Sequence, residues 1–109
     1  MHVEVPHLPS SLTNCNCSIC RRYGVLWAYY QDAEVRLIAD PGATDDYVWG
    51  PRSQKFIRCK TRGCVMQWKQ FELGPNTSTG VNARHFEPEA LGAVTIRLLD
   101  GADTWKCLD

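Results

Sequence analysis

The segment Asn14-Cys15-Asn16-Cys17-Ser18-Ile19-Cys20 packs three thiols into six residues with the spacing C-x-C-x2-C. Side chains alternate sides along an extended backbone, so Cys15 and Cys17 project the same way. A turn through Ser18 and Ile19 then returns Cys20 to that side, and the spacing predicts a three-sulfur face. Such a face suits a soft metal. Zinc takes thiolates at ~2.3 Å in a tetrahedral shell, and three protein ligands leave one position for water or substrate. A fourth protein ligand would instead close the site and make it structural.

The other cysteines are Cys59, Cys64 and Cys107. Cys59-Lys60-Thr61-Arg62-Gly63-Cys64 is a C-x4-C pair whose Gly63 can relax a turn, the kind of knuckle that supplies half of a tetrahedral zinc site. Cys59 or Cys64 is therefore the candidate fourth ligand of a closed site with Cys15, Cys17 and Cys20. Other readings stay open at this level. Secreted scaffolds of this size use disulfides, but the crowded triplet and the start Met1-His2-Val3-Glu4-Val5-Pro6, which lacks a signal-like apolar run, favour a reducing cytoplasmic setting. Four thiolates can also hold an iron–sulfur cluster, although these spacings differ from those of ferredoxins. A third possibility is that no metal is held and all six thiols are free. Cys107, beside Trp105, reads as a small buried hydrophobe.

Composition bounds the rest. At 109 residues, with 12 Lys+Arg against 12 Asp+Glu, the chain fits one domain spanning 1–109 with no formal net charge. A chain of this length buries roughly 65% of its unfolded surface, enough for one modest core. With 44% hydrophobic and 22% charged residues it is globular in composition. The charge balance gives nucleic acid no basic footprint, and no apolar run is long enough to span a membrane.

Short β-like runs dominate. Ser10 to Asn14 leads into the triplet, and Val25-Leu26-Trp27-Ala28-Tyr29-Tyr30 is an apolar, aromatic strand candidate in which the aromatic residues read as core. Glu34 to Ile38 alternates in part before the turn Asp40-Pro41-Gly42. Tyr47-Val48-Trp49 precedes Gly50-Pro51. Lys55 to Arg58 and Val65 to Trp68 flank the C-x4-C pair, which places that pair on a hairpin turn. Leu73 to Gly80 is the longest loop candidate. Glu87 to Leu91 can form one helical turn with Pro88 near its start. Val94, Ile96 and Leu98 alternate with Thr95, Arg97 and Leu99, and Asp100-Gly101 ends that strand. No long amphipathic helix is expected, so the fold class is mainly β.

The stretch from Asn14 through Cys15, Cys17, Cys20, Arg21, Arg22, Tyr23, Gly24 and on to Tyr30 resembles the signature segment of the glutathione-dependent formaldehyde-activating (GFA-type) enzyme family. The resemblance extends through Cys59 and Cys64 to Gly80-Val81-Asn82-Ala83-Arg84. It implies a small zinc-binding domain of packed antiparallel sheets, of the β-tent type, with two zinc sites. The triplet Cys15, Cys17 and Cys20 would form the catalytic site. Cys59 and Cys64 would belong to a structural site, completed in the family by an early C-x-C pair that would lie ahead of Met1. His2 and His7 are alternative supplements to that pair, and His85 follows Arg84 without a distinctive signal.

The implied activity is that of a carbon–sulfur lyase on glutathione–aldehyde adducts such as S-hydroxymethylglutathione, with glutathione or its adduct as the partner. Arg21 and Arg22, directly after the triplet, are the candidate cofactor-binding residues, because guanidinium groups pair with carboxylates such as those of glutathione. They are equally at home as solvated surface arginines. A second function class is a zinc-stabilised interaction module with a closed four-cysteine site and no catalysis.

Overall fold

Strand-forming residues in this chain come in runs of three to six, and the elements are correspondingly short. The computed structural model describes residues 1–48, 54–74 and 76–107. Its strands are β1 (His2–Glu4), β2 (Ser11–Cys15), β3 (Trp27–Gln31), β4 (Arg36–Ile38), β5 (Thr44–Val48), β6 (Gln54–Cys59), β7 (Val65–Gln70), β8 (Ser78–Asn82) and β9 (Thr95–Leu99). The helices are α1 (Ser18–Tyr23) and α2 (Pro88–Leu91), with single 3-10 turns at Asp32–Glu34 and Ala83–His85. The fold is mainly β, as expected, and its described ladders are antiparallel except for the parallel pairing of β2 with β9. Trp49, Gly50 and Pro51, read above as a strand end and turn, lie outside the described residues.

The chain divides into two compact units, and β3 and β8 each carry it across the boundary. The first unit contains Met1–His7 and Tyr29–Val81. Its strands run in the order β5, β6, β7, β8, β3, with β1 and β4 forming a separate two-stranded sheet. The β6–β7 hairpin turns through Lys60–Gly63, as its flanking sequence predicts, and Gly63 takes the left-handed φ of 73° that this turn needs. Its register slips between Ile57 and Arg58. This bulge breaks the alternation of β7, so that Val65, Met66 and Gln67 are all buried in succession.

Buried Gln67 donates through Nε2 to Thr79 Oγ1 at 3.1 Å, and Thr79 Oγ1 donates in turn to the Trp68 carbonyl. This pairing corrects the reading of Leu73 to Gly80 as one loop, because Ser78 to Gly80 belong to β8. The sequence looks loop-like since its polar Thr79 is fully buried by hydrogen bonding and its Gly80 by close packing. A Cβ at Gly80 would overlap the indole of Trp68. Of the predicted aromatic core, Trp27 and Tyr30 are buried, whereas Tyr29 is exposed and lies edge-on to Trp68. Tyr30 donates its hydroxyl to the His7 carbonyl, and the two rings are in tilted contact.

The second unit contains Leu8–Ala28 and Asn82–Asp109. Here β2 lies between β3 and β9, with Thr13 opposite Trp27 and Ser11 to Cys15 running parallel to Thr95 to Leu99. Leu12, Val25, Leu26, Trp27, Ala28 and Ala83 form its buried apolar set. Burying a side chain of this class contributes about 1.5–3 kcal/mol. Asn82 ties the later segment to the earlier one: its Oδ1 accepts from the Leu26 and Arg84 amides, while Ala83 N–H donates to the Leu26 carbonyl at 2.7 Å.

Two expectations for this unit fail. The alternation of Ile96 and Leu98 does not mark a buried face, since both are exposed. Strand β9 is held by its ladder to β2 rather than by burial of one face. Cys107 is exposed rather than buried; it forms an isolated bridge with Leu99 that leaves its side chain in solvent.

Candidate metal centre

Strand β2 ends at Cys15, and the chain stays extended through Cys17, whose φ of −63° and ψ of 162° place it at the N-cap of α1. From there the backbone becomes helical, which differs from the simple turn expected at Ser18 and Ile19. The change is local: Cys17 C=O accepts from Arg21 N–H at 3.0 Å, and Gly24, in the left-handed conformation at φ 67°, donates to the Cys20 carbonyl to end the helix. Extended backbone up to Cys17 followed by one helical turn to Cys20 has the same consequence as the expected turn. All three thiols are buried, and their sulfurs lie within 4.8 Å of one another.

Among the described residues, this is the group of three or more metal-ligating side chains that could hold an ion. The donor set is right for a soft metal, because thiolates select zinc, copper(I) and iron–sulfur chemistry over hard cations. Spacing, burial and sulfur convergence therefore fit a metal ion.

The thiols are electrostatically unequal. Burial raises the pKa of Cys15 above its ordinary value; the Cys17 backbone amide opposes the rise, and the Cys17 thiol adds to it. Cys20 is pushed up more strongly, chiefly by burial, against which the Trp27 indole acts. Its Nε1–H donates to Cys20 Sγ at 3.4 Å. At Cys17 burial also raises the pKa, but donation from the Cys20 and Ile19 amides and from both neighbouring thiols outweighs it and leaves Cys17 below the ordinary value. Cys17 is thus the first thiolate of the cluster. A cation bound among the sulfurs would reverse the burial penalty at the other two.

A wall of the cluster comes from far along the sequence. Gly101 is buried, and a Cβ at that position would overlap Cys15 Sγ and come within 3.4 Å of Cys17 Cβ. Asn16 secures the approach: its Nδ2 donates to Asp100 Oδ1, its Oδ1 accepts from Ala102 N–H, and its amide donates to the Leu99 carbonyl. Hydrogen bonds from Asn16, and then from Thr104, hold the Asp100 carboxyl below its ordinary pKa. In the sequence, Asp100-Gly101 reads only as a strand end. The adjacent Asp-Gly was the available signal, but nothing local indicates that this glycine faces a cysteine.

The remaining candidates lie elsewhere. Arg21 and Arg22 are exposed on α1, where Arg22 Nη1 donates to the Ser18 carbonyl at 2.9 Å. Arg84, carried by the 3-10 turn, reaches the same helix end and donates through Nε to the Gly24 carbonyl. Cys59 and Cys64 belong to the first unit, at the mouth of the β6–β7 hairpin, where Cys59 N–H donates to the Cys64 carbonyl at 2.8 Å. Backbone N–H groups of Arg62 and Thr61 lower the Cys59 pKa. Neither residue joins a group of three metal-ligating side chains among those described. His2 lies near Glu4 on β1, with an Nε2–Oε2 separation of 3.9 Å, and His7 contacts Tyr30.

Fold and sulfur cluster together define the chain as a small, mainly β protein with a buried three-cysteine group able to hold a metal ion. No family model and no curated protein matches the chain. Among solved structures it is similar to a Rhodobacter sphaeroides protein determined as a structural-genomics target, with 26% identity, a TM-score of 0.68, and coverage of 86% of this chain and 89% of that one. No helix among the described residues is long and apolar enough to cross a membrane.

Proposed function

We propose that Cys15, Cys17 and Cys20 hold one zinc ion and that the protein is a cytoplasmic carbon–sulfur lyase of the GFA type, acting on glutathione–aldehyde adducts such as S-hydroxymethylglutathione. The observation that carries the reading is the set of three buried sulfurs within 4.8 Å of one another, with no fourth His, Cys, Asp or Glu in that group among the described residues. Three thiolates leave a tetrahedral ion one open position. When bound, the metal supplies Lewis acidity at that position and favours the thiolate form of a thiol there.

The chain's own residues set the rest. Trp27 Nε1–H directs partial positive charge at Cys20 Sγ, tempering the negative charge of a three-thiolate set. Gly101 brings backbone rather than a side chain against Cys15, which lets the 100–106 loop approach the cluster closely. Arg21 and Arg22 are exposed on the helix that carries Cys20, available to pair with substrate carboxylates. In the reaction, the glutathione C–S bond to the hydroxymethyl carbon breaks, the hydroxyl proton is lost as the carbonyl of formaldehyde forms, and the departing sulfur regains a proton. The reverse direction forms the adduct.

Elemental analysis joined to a thiol titration tests the metal. One zinc per chain in the wild type, none in Cys17→Ser, and Cys59 and Cys64 still reactive is the expected result. Glutathione-dependent consumption of formaldehyde, lost in Cys17→Ser and weakened at unchanged zinc content when Arg21 and Arg22 are both replaced by Ala, is the expected activity. Zinc that protects four or more thiols would overturn the open site.

A further inference from the structure

Residues 100–106 fold back on themselves. The Asp100 carbonyl accepts from the amides of both Asp103 and Trp105, and Asp100 N–H donates to the Lys106 carbonyl at 2.9 Å. The Asp100 carboxylate accepts from the Thr104 amide and hydroxyl. Such a loop puts its last residue in the left-handed region, a place that glycine ordinarily fills. Here it is Trp105, at φ 60°. The other described residues with positive φ are glycines, at 24, 42, 63 and 92. A bulky side chain in this region is a true backbone outlier.

Trp105 is also 64% exposed, so burial does not account for the strained backbone that carries it. Its placement does. Trp105 Cζ3 lies 3.4 Å from where a Cβ of Gly101 would stand, on the glycine that abuts Cys15 Sγ. An exposed apolar ring is thereby held beside the sulfur cluster by a loop that Asp100, Asn16 and Thr104 fasten from several sides.

We infer that Trp105 is a specificity-determining residue of the sulfur site, its indole face receiving the planar group, aryl ring or peptide amide, that follows the sulfur of a bound thiol or thiol adduct. The inference rests on the reading that the triplet holds a metal with an open position. Backbone strain of this kind persists where surrounding structure over-determines it, commonly at ligand clamps. The fastened loop supplies that over-determination, and the indole supplies a rigid surface at low cost in side-chain entropy.

The test uses the cobalt(II)-loaded full chain, whose thiolate charge-transfer and d–d absorption report both loading and a change at the open position. Benzyl mercaptan and ethanethiol are titrated anaerobically into the wild type, W105G and W105F. W105G should keep the cobalt spectrum and bind benzyl mercaptan about five- to tenfold more weakly, the scale of one lost aromatic contact. Its affinity for ethanethiol should be unchanged, and W105F should retain affinity for benzyl mercaptan within about twofold. Because glycine accepts the loop conformation, the melting temperature of W105G should be no lower than that of the wild type. Equal weakening for both thiols, or none for either, overturns the inference while leaving the metal reading intact. Loss of the cobalt spectrum in W105G makes Trp105 structural and overturns it as well. Absence of thiolate–cobalt absorption in the wild type overturns the metal reading itself.

Discussion

Two regions of this molecule present clustered cysteines, and they could hardly differ more in setting. Cys15, Cys17 and Cys20 are buried at the junction of a strand and a helical turn, with their sulfurs convergent. Cys59 and Cys64 sit at the mouth of a hairpin, half-buried and exposed respectively. In the first region burial is the largest influence on every thiol. In the second, the amides of Arg62 and Thr61 outweigh burial and favour the Cys59 thiolate. Short cysteine spacing thus produces a candidate metal centre only where the backbone turns the sulfurs inward and the core excludes water from them.

The sharpest way to break this contrast is to remove one sulfur at a time. Cys17→Ser or Cys20→Ser should abolish metal binding and, with it, the fall in melting temperature that a chelator causes in the wild type; Cys59→Ser and Cys64→Ser should leave both unchanged. Equal metal loss from either set, measured by elemental analysis, would erase the distinction. Gly101→Ala comes next. Overlap with Cys15 Sγ should cost about 1–3 kcal/mol in urea unfolding, as overpacking of a tight interior does, and should displace Cys15 enough to weaken metal retention.

A smaller effect is expected of Trp27→Phe. It removes the N–H donated to Cys20 Sγ, worth about 0.5–1.5 kcal/mol in unfolding, on top of the altered ring volume. Smallest are two tests by pH. Because the folded Asp100 carboxyl has a depressed pKa, its contribution to stability is complete above the ordinary carboxylate value and is lost as pH falls through the folded one. Asp100→Asn should therefore flatten part of the decline in melting temperature below about pH 4. Alkylation by iodoacetamide should begin with Cys59, at a pH below the ordinary thiol midpoint, and reach Cys15 and Cys20 only on unfolding.

Those contrasts explain what could be foreseen. C-x-C-x2-C was legible because three thiols in six residues leave few geometries that do not bring sulfurs together, and helix or turn after Cys17 leads to the same face. The β6–β7 hairpin was legible from its flanking apolar runs. Ser18–Tyr23 carries no readable helical signal, since six residues are too few to show a helical period. Ser78–Gly80 looked like loop because the bonds that bury Thr79 come from Gln67 and Trp68 on the neighbouring strand. Gly101 is illegible for the same reason on a longer scale: it abuts Cys15 and Cys17, more than eighty positions away.

That separation bears on how the protein is made. Asn16 and Asp100 are 84 residues apart, and β9 must also arrive before β2 has its parallel neighbour. During synthesis the three thiols precede the 95–106 segment, so Gly101 can meet Cys15 only after that segment follows. Parallel, long-range pairing of this sort forms slowly. An ion taken up by the triplet in the nascent chain would therefore meet its final wall only when Gly101 docks against Cys15.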